Sequence, residues 1–351
     1  MSLKNIANTF RRKYLKKITE DLGKSSHKNL TPQPQPLVIN RILISRPNHR
    51  LGNQLLITPL VQEVQQLFPK ASIDLFVKGT VAPILFKNYG INEYIKLPRK
   101  PLKELTNYFK VWLKIRNKKY DLVINVEQSS SSGRISAAVA QAKFTFFGDD
   151  FDEDLKKYAD RSHISKYPIY NLRSFLNRLG MQVSNKEIPL LDLRLDTEEL
   201  ANGKKALANI TDHPNKKTIG FFTYATGDKC YSKEWWKTFY NKFYHEFSDY
   251  NLIEILPVEN ISQLDFILPS YYSKEVREIG AVMHQCDLVV AADSGMMHLS
   301  SASLTPTIGL FSVTKAEVYE PYGNNSISFN TNERTQDELI LEMKRILDII
   351  K

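Results

Sequence analysis

The chain of 351 residues is long for one core and suits two domains of about 150 residues each, and its 42% hydrophobic and 25% charged residues rule out wholesale disorder. No run of 18 apolar residues and no signal-peptide pattern occurs, which argues against a spanning helix or an exported protein; the two isolated cysteines, Cys230 and Cys286, exclude a disulfide framework or a thiolate zinc site. The formal charge of +10 is local: residues 1–36 hold eight Lys/Arg against Glu20 and Asp21, residues 96–119 hold nine against Glu104, and the rest sums to about −4.

Such basic stretches meet something anionic. Nucleic acid is not the expected partner, because the chain has no zinc-finger or RNA-reading motif and no stacking aromatics interleaved with the cations. An anionic membrane surface or an anionic lipid-linked substrate fits, and the expected location is cytoplasmic, peripheral on the inner face of the cytoplasmic membrane. In LKNIANTFRRKYLKKITEDL, Ile6, Phe10, Tyr14 and Ile18 recur every four residues while Arg11, Arg12, Lys13, Lys16 and Lys17 take other faces. This predicts a basic amphipathic helix, either lying in a headgroup layer or packing its stripe on its own domain. The Pro-spaced SSHKNLTPQPQP then reads as a linker ending the segment 1–36.

From there strands and helices alternate. PLVINRILISR predicts a strand, LLITPLVQEVQQLF a helix, SIDLFVK a strand, the next basic stretch a helix, and YDLVINVE a strand ending in a Ser-rich turn. A second set starts near residue 216: strand KKTIGFFTYA, helix KEWWKTFYNKFYHEF, strand NLIEILPV, helix SKEVREIGAVMHQC, strand DLVVAAD, helix MMHLSSAS and strand TPTIGLFS. The fold class is α/β, with two doubly wound Rossmann-like domains over 37–180 and 216–330, a connection over 181–215 and a terminal helix over 331–351. Ligands of such sheets bind at the carboxyl ends of the strands.

Two stretches carry a resemblance. RPNHRLGNQLLITPL, residues 46–60, and DLVVAADSGMMHLSSASLTPTIGLFSVTKAEVYEPYG, residues 287–323, resemble the two signatures of the heptosyltransferase family, family 9 of the glycosyltransferases. The likeness covers about residues 41–330 and is looser at YDLVINVEQ and LGMQVSNKEIPLLDL. It implies the GT-B fold, two Rossmann-like domains facing a central cleft. It also implies inverting transfer of a heptose from ADP-heptose onto a lipid-linked saccharide in lipopolysaccharide or cell-surface glycan synthesis. No cofactor is expected beyond the nucleotide-sugar co-substrate, and no metal, since the seven histidines never fall at ligand spacing. Asp150-Phe151-Asp152 has the spacing of a cation-binding triplet but reads as a solvated acidic loop.

The donor side is expected at Asp293, Ser294 and Gly295, where a strand gives way to a helix whose first N–H groups suit a diphosphate; alternatively Asp293 merely caps that helix. Met296 and His298 extend the site along the helix. The resemblance adds Lys229, to offset charge on the leaving nucleotide, with Thr226 beside it. On the acceptor side it suggests Arg50, Ser131 and Arg134, although SSSSGR also reads as a flexible turn. In the family the first signature reads Gly-Asp and that Asp is the base; here Gly52 is followed by Asn53, whose amide has no proton affinity near neutral pH. His49 and then Glu127 are the substitute bases to test, with the donor's own diphosphate as a third acceptor of the proton. Two rival readings remain: the same fold with another nucleotide sugar, and a non-catalytic sugar-nucleotide or lipid-saccharide binder.

Overall fold

The computed structural model describes residues 17–23, 30–99, 103–149, 152–183, 185–213 and 215–350. Most of the expected N-terminal helix, the start of the linker and the pair Asp150-Phe151 lie outside them. In chain order the elements are β1 (Arg41–Arg46), α1 (Leu51–Leu55), α2 (Thr58–Leu67), β2 (Ser72–Lys78), α3 (Val81–Leu85), β3 (Glu93–Leu97) and α4 (Leu105–Asn117). Next come β4 (Leu122–Asn125), α5 (Ser131–Val139), β5 (Phe144–Phe146), α6 (Asp152–Leu155), α7 (Tyr167–Arg178) and α8 (Thr197–Ala208). The second half runs β6 (Thr218–Phe222), α9 (Lys233–Glu246), β7 (Asn251–Ile255), β8 (Ser270–Tyr271), α10 (Val276–His284), β9 (Leu288–Ala292) and α11 (Gly295–Ala302). It ends with β10 (Thr307–Phe311), α12 (Ala316–Tyr319), β11 (Ile327–Asn330) and α13 (Gln336–Ile349).

The chain divides into two units. The first comprises residues 1–49, 59–83 and 90–189; the second takes 50–58, 84–89 and 190–351. Residues 50–58 and 84–89, inside the segment expected as the first domain, thus group with the second. The first unit's sheet has the order β3-β2-β1-β4-β5 and the second's β11-β10-β9-β6-β7-β8, every pairing parallel. Each chain path starts at a central strand, winds outward to one edge, then returns to wind out to the other. That leaves a topological switch point between β1 and β4 in one sheet and between β6 and β9 in the other.

The central strands are apolar on both faces because helices cover both, so β6, β7, β9 and β10 are buried throughout. On one face of the second sheet, Phe221 stacks on Phe243 of α9 at 4.5 Å, and Trp236 and Phe239 fill the same cluster. In the first unit, Leu43, Phe76 and Val123 pack beneath Tyr108, Trp112 and Ile115 of α4. The end of the N-terminal segment packs on its own unit: Arg134 donates to the carbonyls of Thr19, at 2.9 Å, and Leu22.

Two expectations change. LLITPLVQEVQQLF is not one helix: Pro59 has no N–H to donate back to Leu55. That carbonyl accepts from the Thr58 hydroxyl at 2.8 Å, and a new helix begins at Thr58. The stretch read as connection contains α8, started by a reciprocal capping box between Asp196 and Glu199.

Candidate functional site

The switch point of the second sheet is a ready crevice, because the loops after β6 and β9 diverge there. The loop after β6 is anchored from below. Buried Glu254 accepts from the hydroxyls of Thr223 and Ser262, each at 2.5 Å, and burial pushes its carboxyl above the ordinary range despite those bonds. The chain then makes a single turn of 3-10 helix over Gly227–Lys229. Gly227 takes φ +66° there with open space around it, a conformation that costs other residues strain. The turn presents Lys229, and its ammonium lies 2.6 Å from Asp293 at the end of β9. Asp293 also accepts from the hydroxyl of Thr314, and the ring of Tyr319 lies 5.8 Å from the Lys229 nitrogen.

Asp293 is therefore not a helix cap. Ser294 is: its hydroxyl accepts from Met296 N at 3.2 Å and opens α11. The helix runs back under the sheet edge through buried Met297, His298 and Leu299, so its amino end and the positive end of its dipole face the crevice. Packed on α11 is α1. A Cβ on Gly52 would sit 2.8 Å from the His298 ring, and one on Gly295 would sit 3.2 Å from Gly52 N. Neither glycine has a positive φ. Gly52 in the opening signature thus serves close helix packing rather than a ligand-cradling turn, and that packing puts Arg50 and Asn53 on the same wall as His298.

Together these residues line a cavity of about 720 Å³ in the second unit, bounded by Arg50, Asn53, Thr226, Lys229, Asp293, Ser294, Gly295, Met296 and His298. Its volume falls in the range of cofactor and small-ligand sites. Two further wall residues escaped the sequence reading, Glu259 beyond the end of β7 and Tyr319, as did Thr314, which bonds Asp293 from behind. All three lie on segments that follow a strand's carboxyl end, so the strand-end rule was the signal that finds them.

The first unit holds the other expected residues. At its switch point Arg46, ending β1, pairs with Glu127 beyond β4 at 3.0 Å, and the Ser129 hydroxyl donates to the same carboxylate at 2.8 Å. His49 is exposed on the loop after β1. Ser131 begins α5, capped by the Ser130 side chain, so SSSSGR is a helix start and not a flexible turn. Arg134 must be withdrawn from the acceptor set: it is 1% exposed and fully committed to Asp149, at 2.6 and 3.2 Å, and to the two backbone carbonyls. Burying a guanidinium is tolerated only where such partners meet its charge and N–H groups.

The pattern of glycosyltransferase family 9 (heptosyltransferase) matches residues 274–344, which include β9, α11 and Asp293. Over that segment the chain is similar to the heptosyltransferase family. Lipopolysaccharide heptosyltransferase 3 of Escherichia coli is 22% identical over 332 residues, covering 85% of this chain and 94% of that protein. The glycosyltransferase family 9 structure from Veillonella parvula DSM 2008 superposes with a TM-score of 0.68 at 17% identity, covering 88% and 97% of the two chains. E. coli heptosyltransferase WaaC, solved with ADP-2-deoxy-2-fluoro heptose, gives 0.59 at 16% identity, covering 89% and 100%. At these identities the structures speak for the fold, which is GT-B, and the family match makes the protein a glycosyltransferase. The matched segment and the cavity coincide at the β9–α11 junction.

Proposed function

We propose that this glycosyltransferase is an inverting, metal-independent enzyme. Its reaction would move a heptose from ADP-heptose onto a lipid-linked saccharide of lipopolysaccharide, at the inner face of the cytoplasmic membrane. The observation that carries the reading is the Lys229–Asp293 pair at the switch point, beside the amino end of α11 and inside the cavity. The relative named for lipopolysaccharide and the ADP-sugar held by WaaC supply the substrate class.

In this reading the diphosphate lies against the first-turn N–H groups of α11 and the Lys229 ammonium. A carboxylate repels a diphosphate, so Asp293 with Thr314 acts by holding the lysine rather than by touching the phosphates. Glu259 accepts from the ribose hydroxyls, as an acidic residue beyond the second strand of such a domain does. As the acceptor oxygen bonds to the anomeric carbon, the bond from that carbon to the diphosphate breaks, and the charge that develops there faces Lys229. Asn53 orients the acceptor hydroxyl through its amide but cannot take its proton. Of the two substitutes, His49 lies exposed on the loop after β1 and is tested first, and Glu127, held by Arg46 and Ser129, second.

The test is transfer from labelled ADP-heptose to a lipid-saccharide extract. His49→Ala is expected to lower the rate by about 10²- to 10⁴-fold, with Asn53→Ala and Glu127→Gln far milder. Asn53 specifically motivates a second reading, a binder that has lost catalysis. Nucleotide-sugar binding by the native protein without transfer to any acceptor would select it, and Asn53→Asp would then restore a trace of activity.

A further inference from the structure

Helix α4 has two apolar faces. Tyr108, Val111, Trp112 and Ile115 pack onto the first unit's core. Leu105, Phe109 and Leu113, one turn apart, point elsewhere and are 51%, 62% and 57% exposed. A helix lying on a domain needs only the inner stripe. Single exposed apolar residues are ordinary, but three large ones aligned on one face form a patch that a partner covers.

The surroundings say which kind of partner. Lys103, Lys110, Arg116 and Lys119 are exposed along the same helix and its ends. Beside its first turns lies a cavity of about 450 Å³ lined by Lys96, Arg99, Lys110 and Lys114, with Glu104 the one carboxylate among the described residues of its lining. The nearby acids Asp74 and Glu93 are taken up by Lys118, and Glu93 also by Lys114. The stretch 96–119 carries a net +8, so a second copy docked face to face would set this charge against itself.

We propose that the outer face of α4 is where the first unit docks on an anionic lipid bilayer. Leu105, Phe109 and Leu113 enter the boundary between headgroups and acyl chains, and the flanking cations and the basic cavity meet lipid phosphates. This deepens the membrane location proposed above and adds a surface separate from residues 1–36.

The full-length protein is sedimented with vesicles of phosphatidylglycerol and phosphatidylethanolamine, and with phosphatidylcholine alone. Native protein binds the anionic vesicles. The double variant F109E/L113E, altered only at exposed positions, loses at least about tenfold in partitioning, and K110E/R116E loses binding and much of its salt dependence. Thermal midpoint and ADP affinity by calorimetry stay unchanged in both, which separates the surface from the nucleotide site. Failure of ADP to bind the native protein would count against the transferase reading and leave this surface standing. Anionic-vesicle binding by F109E/L113E within about twofold of native, or native protein that ignores anionic vesicles, overturns the proposal. So does an F109E/L113E change in oligomeric state at unaltered vesicle binding, which would assign the patch to a second copy.

Discussion

Replacing Lys229 by Ala is expected to slow sugar transfer by about 10²- to 10³-fold, the cost of removing one preorganised charge partner of a developing oxyanion, near 3 to 4 kcal/mol. The native ammonium is held in place before donor arrives, by Asp293 at 2.6 Å and the ring of Tyr319, so no reorganisation is needed during the reaction. If its role grows with charge on the departing diphosphate, kcat falls far more than KM rises. Lys229→Arg is not a neutral control, because a planar fork cannot reproduce a point charge in that geometry. Asp293→Ala leaves the charge but frees the lysine, and should cost less than its loss. Steady-state rates with ADP-heptose, paired with calorimetric ADP binding, check all three. Unchanged rates in Lys229→Ala would place the leaving group elsewhere.

The central strands and their helices were legible because parallel strands covered on both faces must be continuous apolar runs, and β2, SIDLFVK, begins and ends where the sequence alone puts it. The edge strands β3, β5, β8 and β11 were not: they are two to five residues long and partly exposed, too short to show a period. Asp293 stood out at a strand-to-helix junction and Lys229 through resemblance to the family, but their mutual contact did not. Sixty-four residues separate them, and only the crossing of the chain from β6 to β9 brings them together. Arg134 misled for a related reason. In sequence it is an arginine on a serine-rich turn, while its partner Asp149 and the carbonyls of Thr19 and Leu22 are distant in sequence and set by packing. The role of Gly52 was hidden as well, since a glycine needed for close helix packing and one needed for a tight turn look alike in sequence until the neighbour, here His298, is known.

The largest loss of stability is expected from Arg277→Ala. Arg277 on α10 is 7% exposed and grips both oxygens of Glu199 on α8, at 2.6 and 2.5 Å. It also donates to the carbonyls of Leu193 at 2.9 Å and Arg194 at 3.1 Å. Removing it takes the guanidinium from the Leu193 carbonyl and from Glu199, which keeps the Asp196 N–H at 3.0 Å and the half-exposed Lys87 ammonium at 3.0 Å, while the Arg194 carbonyl keeps Asn88 at 2.6 Å. Breaking a buried pair in this one-sided way costs about 3 to 5 kcal/mol, or roughly 6 to 20 °C in Tm for a domain of this size. The same pair fixes the pH dependence. Arg277 first, then the backbone of Asp196 and Lys87, hold the Glu199 carboxyl down to about 2 from an ordinary 4.5. A depressed folded value stabilises fully above the unfolded one and is lost as pH falls through the folded one. The Tm gap between native and Arg277→Ala should therefore be constant from neutral pH to about 4.5 and close as the pH falls toward 2. Glu199→Gln, which keeps an acceptor for the guanidinium, should cost less and show a flatter acid limb. A gap that persisted unchanged at pH 2.5 would assign the stabilisation to the carbonyl contacts of Arg277 rather than to its ion pair.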